Sequence, residues 1–344
     1  MRCSVIEIGS NTVKCTVYDI RGKGDTKTFD TVLCQNQTVG LINYTSGGVL
    51  SGSGIKRLCG TVGSLVKLSK GVYCKKVHII ATAGLRSISN CGEVVKKLKR
   101  ACGYKIRVIS GKEEAMYGFS ALSNLFSNRL EDGIAIDLGG GSTEIVLIRD
   151  GKAEKIKSVG LGALRLYNEY VSGILPSPSE IDEMKKAFDA ALKGIDWLCR
   201  SAKKAYLIGG SGRALFSVNS DICGTGTKND AGLDTAQLDE LLKIYRNPSK
   251  EDVKRLIRLL PDRIHMIVPG MVAYNCIFKA AGAELAVASF SKVRDGFIIE
   301  KYIKQGSNPQ KQPDQSCKKP AKKQEKQEQT ERPGKLRKQE TTYD

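Results

Sequence analysis

The sequence predicts an α/β protein made of two related domains, and three observations carry that prediction. Short apolar runs that read as strands alternate with segments of helical periodicity. A pattern of apolar strand, acid, glycine turn, hydroxyl and apolar strand occurs twice, 130 positions apart. The 344 residues suffice for about two domains.

The second copy is the fuller one: Ile134 to Arg149 reads I-A-I-D-L-G-G-G-S-T-E-I-V-L-I-R. Gly139, Gly140 and Gly141 lack Cβ atoms, so their backbone can approach an anion and turn amides toward it. Asp137 and Glu144 flank the turn, and two carboxylates suit a hydrated Mg²⁺ that carries phosphate oxygens. The first copy, Val5 to Tyr18, places Glu7 on Asp137, Gly9 on Gly139, Thr12 on Ser142 and Val17 on Leu147. For one copy alone, a glycine-rich hairpin with incidental acids would serve as well. Two copies imply two phosphate hairpins facing each other across a cleft.

Composition bounds the class. Hydrophobic residues make up 41%, enough for two ordinary cores. No apolar run approaches the roughly 20 residues that span a bilayer, and Glu7 and Gly9 interrupt the start too early for a signal-peptide core. The expectation is a cytoplasmic protein with no membrane contact. Eleven cysteines have no C-x-x-C spacing, and the two histidines, His78 and His265, fall on apolar segments. That argues against zinc, redox and histidine-triad chemistry. A net charge of +19 attracts polyanions. With aromatics at only 6% and no cluster of them interleaved with basic residues, nucleic acid is not the expected partner.

Along the chain, Thr28 to Leu33 supplies a further strand, and Cys34 to Gly54 reads as a polar loop or irregular edge. Ser53 precedes a helix built on Ile55, Leu58, Val62 and Leu65. Val77 to Ile80 is a strand leading into A-T-A-G-L-R, which ends at Arg86. Glu93 to Cys102 is helical, and Ile106 to Ile109 is a strand. Glu113 and Glu114 open the next helix. Acids in a first turn are ordinary, but a carboxylate at a strand-to-helix switch can also serve as a general base. Ser127 to Gly133 is polar and marks the boundary between domains 1–128 and 129–304. After the second hairpin, S-V-G-L-G-A-L-R-L brings Arg165 to the start of a helix. A helix from about Glu180 to Arg200 is capped by Ser179. Tyr206 to Gly212 is a strand ending in glycines, which either cradle a third group or make a tight turn. Ser249 caps another helix, and Ile264 to Ala281 is a helix interrupted at Pro269-Gly270. Val287 to Ser291 is the last strand, followed by a helix to Lys304. Residues 305–344 are rich in Gln, Lys, Glu and Pro, cannot build a core and are expected to be disordered.

Six segments in order, V-I-E-I-G-S-N-T, A-T-A-G-L-R, I-S-G-K-E-E-A, A-I-D-L-G-G-G-S-T-E, S-V-G-L-G-A-L-R-L and S-K-V-R-D-G, resemble the exopolyphosphatase and guanosine pentaphosphate phosphohydrolase (Ppx/GppA) family, in a short two-domain form. The resemblance implies two ribonuclease-H-like domains of the actin-like ATPase superfold around a central cleft. It implies Glu114 as catalytic base and Arg86 as the group neutralising charge on the transferred phosphoryl. Ser10, Asn11 and Thr12, the loop Gly139, Gly140, Gly141, Ser142 and Thr143, and Arg165 would bind phosphate. Asp137, Glu144 and Glu7 would hold Mg²⁺. The family's first-hairpin acid is usually aspartate, and it is Glu7 here. The activity implied is hydrolysis of the terminal phosphoanhydride of polyphosphate. Guanosine pentaphosphate hydrolysis, an ATP-dependent activity and non-catalytic polyphosphate binding are the alternatives, and a homodimer is allowed.

Overall fold

The structure, a computed structural model, describes residues 1–224 and 232–304. The expectation for residues 305–344 lies outside the described residues. The chain begins as an antiparallel meander of β1 (Arg2–Ile8), β2 (Thr12–Arg21) and β3 (Thr28–Thr38). Two-residue strands β4 (Thr45–Ser46) and β5 (Val49–Leu50) lead to α1 (Gly52–Gly71) and β6 (Lys76–Ala81). The short α2 (Ala83–Arg86), α3 (Cys91–Cys102), β7 (Ile106–Val108) and α4 (Gly111–Phe126) follow. A second meander, β8 (Gly133–Leu138), β9 (Thr143–Arg149) and β10 (Lys152–Val159), then repeats the first. After it come α5 (Ala163–Tyr170), α6 (Pro178–Leu192), β11 (Lys204–Ile208), α7 (Gly209–Cys223), β12 (Gly232–Asp234), α8 (Thr235–Arg246), α9 (Lys250–Leu259) and α10 (Ile264–Ala281). The described chain closes with β13 (Leu285–Ala288), α11 (Val293–Ile298) and a π-helical turn at Ile299–Ile303.

The two sheets share one plan. The first has order β3-β2-β1-β6-β7 and the second β10-β9-β8-β11-β13-β12. In each, a three-stranded antiparallel meander is joined through its first strand to parallel strands reached by helical crossovers. This is the two-part α/β fold that the sequence pattern predicts. Apolar residues of α1 and α3, among them Leu58, Leu65 and Leu98, cover one face of the first sheet. Phe188 of α6 and Val272 of α10 belong to the cluster covering one face of the second. The inner layer is helical. Phe119 and Leu122 of α4 pack on the second sheet, while Val293, Phe297 and Ile298 of α11 pack on the first. The end of the described chain thus returns to the sheet it started from, and the Tyr18 hydroxyl donates to Asp295 at 2.6 Å.

Several local expectations change. β3 runs on to Thr38 because its backbone pairs with β2 along its full length. The α1 cap is Ser51, whose hydroxyl accepts from the Gly54 amide. Ser177, not Ser179, caps α6, with Glu180 completing a capping box worth about 1 kcal/mol. α6 stops at Leu192, two residues before Gly194 turns left-handed at φ 81°. Pro269 does not interrupt α10, which runs as one helix. That helix is long and apolar enough to cross a membrane by length and composition, but 78% of the apolar window is buried within the protein. Strands β10 and β12 and helix α8 were not foreseen.

Candidate active site

The two glycine turns are built alike. In the first, the Gly9 amide donates to Thr12 O at 3.1 Å; in the second, the Gly139 amide donates to Ser142 O at 2.9 Å. The carbonyls of each turn are then taken up by neighbouring backbone. Ser10 O accepts from Ile42, and Asn11 O from Val39 and Gly40. Gly139 O accepts from Ala163, and Gly140 O from Leu164 and Arg165, at the start of α5. Among the described residues, the amides of Ser10 and Asn11 and those of Gly140, Gly141 and Ser142 have no protein acceptor. Backbone donors in such turns form anion cradles.

Each turn rests on a second glycine. A Cβ on Gly84 would lie 2.6 Å from Gly9 O, and one on Gly162 would lie 2.5 Å from Gly139 O. The turns also meet each other, since a Cβ on Gly141 would overlap the Ser10 hydroxyl. The predicted phosphate residues of the two hairpins are therefore assembled face to face.

The strand-to-helix switches supply the charged side chains. β6 runs out into α2 and ends on Arg86. Its guanidinium donates to Ile109 O at 3.0 Å and to Glu114 Oε2 at 2.8 Å, and approaches Ser142 Oγ and Glu144 Oε1 at 3.5 Å each. The two glutamates that open α4 have separate tasks. Glu113 closes a capping box with Ser110 and pairs with Arg107, which fixes it outside the cleft. Glu114, one residue further round the helix, is buried against Arg86. Glu144 is 2% exposed and accepts from Ser158 Oγ at 2.7 Å.

Charge is unevenly shared. Burial pushes Asp137 up to about 7, helped by Glu114 and by Glu7 and opposed by Lys14. Glu144 is raised well above the usual carboxylate range by burial and by the Glu114 and Asp137 charges. Glu114 is raised by burial against the opposing pull of Arg86. Glu7 behaves in the opposite way. Burial alone would raise it, but Lys14 and Arg294 outweigh burial and hold it down to about 2.

A divalent cation fits this environment in a restricted form. Asp137 and Glu144 stand opposite each other in the β8–β9 register, and the Asp137 charge helps to raise the proton affinity of Glu144. A cation there would offset that excess. Among the described residues, no three His, Cys, Asp or Glu side chains converge as a ligand set. Two carboxylates with water and phosphate oxygens is a common arrangement for Mg²⁺. Glu7 departs from its expected role as a third ligand. Its oxygens are engaged by Lys14 at 3.0 Å and Arg294 at 2.5 Å, so its charge is already neutralised.

Arg165 also sits apart: its exposed guanidinium pairs with Glu169 at 2.7 Å and donates to Gly160 O. His78 is held by the Tyr302 hydroxyl and His265 stacks edge-on with Tyr167, so both are packed. The glycines at 209–212 follow strand β11 directly and open helix α7, and a Cβ on Gly209 would lie 2.8 Å from Asp137 Oδ1. Three cations escaped the sequence reading. Lys14 could have been found, because the 130-residue shift that aligns the hairpins puts it on Glu144. Arg213 and Arg263 could not, since only the packing of α7 on α10 brings them beside the cleft, where burial lowers both.

Known proteins share this architecture. Residues 16–305 match the model of the Ppx/GppA phosphatase family. An exopolyphosphatase 1 of Mycobacterium leprae is 24% identical over 307 residues, covering 88% of this chain and 89% of that protein. A guanosine-5'-triphosphate,3'-diphosphate pyrophosphatase of Aeromonas hydrophila is 26% identical over 64% of this chain and 44% of its own length. The crystal structure of the Aquifex aeolicus Ppx/GppA family member superposes with a TM-score of 0.72 at 21% identity, covering 90% of this chain and 99% of that one. An exopolyphosphatase from Cytophaga hutchinsonii gives 0.76 at 19% identity, covering 89% and 100%. The chain belongs to the Ppx/GppA phosphatase family.

Proposed function

We propose that this phosphoanhydride hydrolase is an exopolyphosphatase, cleaving the terminal bond of linear inorganic polyphosphate to release orthophosphate. The observation that carries the reading is the pair of facing glycine turns whose amides lack protein acceptors, with the Arg86–Glu114 pair beside them. The terminal phosphoryl group would lie between the turns, its oxygens held by the amides and hydroxyls of Ser10, Asn11, Thr12 and the 139–143 loop. Glu114 would accept a proton from a water in line with the terminal phosphorus, and the bridging oxygen would leave with the shortened chain. Arg86 would orient Glu114 and offset charge on the equatorial oxygens. Asp137 and Glu144 would hold a divalent cation, which when bound supplies positive charge toward the phosphate oxygens.

Two things favour polyphosphate. The net charge of +19 suits a long polyanion, and the match to the mycobacterial exopolyphosphatase covers 88% of this chain and 89% of that protein. A second reading, guanosine pentaphosphate, is favoured by the match to the Aeromonas hydrophila guanosine-5'-triphosphate,3'-diphosphate pyrophosphatase over 64% of this chain. Orthophosphate release from each substrate with Mg²⁺ separates the readings. A higher kcat/KM for polyphosphate is expected, and a clear preference for the nucleotide would replace the first reading by the second.

A further inference from the structure

The end of the first sheet remote from the cleft carries a charged surface that the hydrolytic reaction does not use. Residues 31–112 contain fourteen Lys and Arg and a single acid, Glu93. The topology gathers many of these cations at one end. Strands β1, β6 and β7 are parallel, and their C-terminal ends deliver the first glycine turn and Arg86 to the cleft. Helices α1 and α3 run the other way, so their C-termini collect where the strands begin. There Lys70, Lys75, Lys76, Lys99 and Arg100 are all exposed. Glu93 pairs with Lys97 and Asp19 with Arg2, so the nearby acids are already matched. Six residues of β6 separate this surface from the cleft by about 20 Å.

Two tyrosines stand among these cations. Lys70 Nζ lies 5.7 Å from the centre of the Tyr104 ring. Tyr73 follows α1 and is 84% exposed. The Cys74 amide donates to Ser69 O and the Tyr73 amide to Lys70 O, the double bond of a Schellman turn. That turn places its closing residue in the left-handed region, where glycine is the usual occupant, yet Tyr73 holds φ 60° there. Its ring gains almost no burial in return. A large aromatic side chain held in a disfavoured backbone conformation and presented to solvent serves recognition better than packing.

We propose that this surface binds single-stranded nucleic acid, with Lys70, Lys75, Lys76, Lys99 and Arg100 tracking phosphates and Tyr73 stacking on a base. The cations alone would suit any polyanion. The exposed Tyr73 ring selects a ligand with bases, since stacking on tyrosine is available to every base and to no phosphate chain. Sequence order hid the pattern, because Tyr73 and Tyr104 are neighbours only through Lys70. The surface is independent of the reaction in the cleft.

The test uses the full-length protein and a fluorescein-labelled 20-nucleotide oligouridylate, with anisotropy read at several salt concentrations. The Lys75→Glu/Lys76→Glu/Arg100→Glu variant is expected to lose at least ten-fold in affinity and to show a shallower salt slope, with phosphate release in the cleft unchanged. Tyr73→Gly is expected to raise the melting temperature while weakening the oligonucleotide roughly 5- to 100-fold and leaving polyphosphate binding unchanged. A triple variant that binds like the wild type would overturn the proposal. So would Tyr73→Gly neutral toward both polyanions, which would hand the surface to polyphosphate, or a Tyr73→Gly protein that melts lower, which would make the ring structural.

Discussion

Lys14 of the first hairpin and Glu144 of the second occupy the same register position, and the exchange reverses the charge of one jaw. Glu7 faces Lys14 across β1–β2, and Asp137 faces Glu144 across β8–β9. The first pair is joined at 3.0 Å and completed by Arg294. The second is two carboxylates, both raised by burial and by neighbouring carboxylate charge. A duplicated motif has thus become asymmetric. One jaw pairs its acid with cations from within, and the other sets two buried carboxylates opposite each other.

The Glu7–Arg294 pair is buried on both sides, with side chains 7% and 5% exposed. Removing one partner of such a pair leaves an uncompensated charge, which typically costs about 3–5 kcal/mol. Arg294→Met should therefore lower the urea midpoint sharply, and Glu7→Gln/Arg294→Met should recover part of the loss. A double variant as unstable as the sum of the singles would mean that the pair contributes no coupling.

Asp137 gives a pH signature. Its proton affinity is raised from 3.8 to about 7 in the folded protein. A raised carboxyl contributes stability that is fully present below its unfolded value and lost as pH rises through the folded one. Asp137→Asn should match the wild type near pH 4. It should become the more stable protein by pH 7, by on the order of 2 kcal/mol after screening by water in the cleft. Mg²⁺ should stabilise the wild type at pH 7 and leave the variant unmoved. Parallel stability curves across this range, followed by chemical unfolding with and without Mg²⁺, would contradict the assigned strain.

Gly162 tests the backing of the second turn. Alanine there would place its Cβ 2.5 Å from Gly139 O and 2.6 Å from Gly140 C. The loop must shift, at a cost of roughly 1–3 kcal/mol, and its amides would move with it. Both a lower melting temperature and a lower kcat are expected. An alanine variant with wild-type turnover would show that the turn's position is not critical.

Much of this was legible in residue order, and the reasons are local. The hairpins were readable because strand alternation and glycine turns leave a pattern within about a dozen residues, and here the pattern appears twice. Glu114 was a site candidate through the resemblance of the I-S-G-K-E-E-A segment to the family, since acids in a first turn are ordinary, and its separation from Glu113 was not readable. That depends on Ser110 and Arg107 capturing one glutamate while Arg86 captures the other. The cap of α6 was misplaced by two residues, because Ser177-Pro178-Ser179 offers two hydroxyls and only backbone geometry chooses. Arg294 was unreadable as the partner of Glu7, since 287 residues separate them and only the return of α11 to the first sheet joins them.

The central claim is that Glu114 acts as the base on phosphate held between the two turns. It is tested by measuring orthophosphate release from linear polyphosphate with Mg²⁺, alongside polyphosphate binding, for the wild type and Glu114→Gln. The account predicts a kcat lower by roughly 10²- to 10⁴-fold with binding preserved within a few-fold. Turnover by Glu114→Gln close to that of the wild type would contradict it.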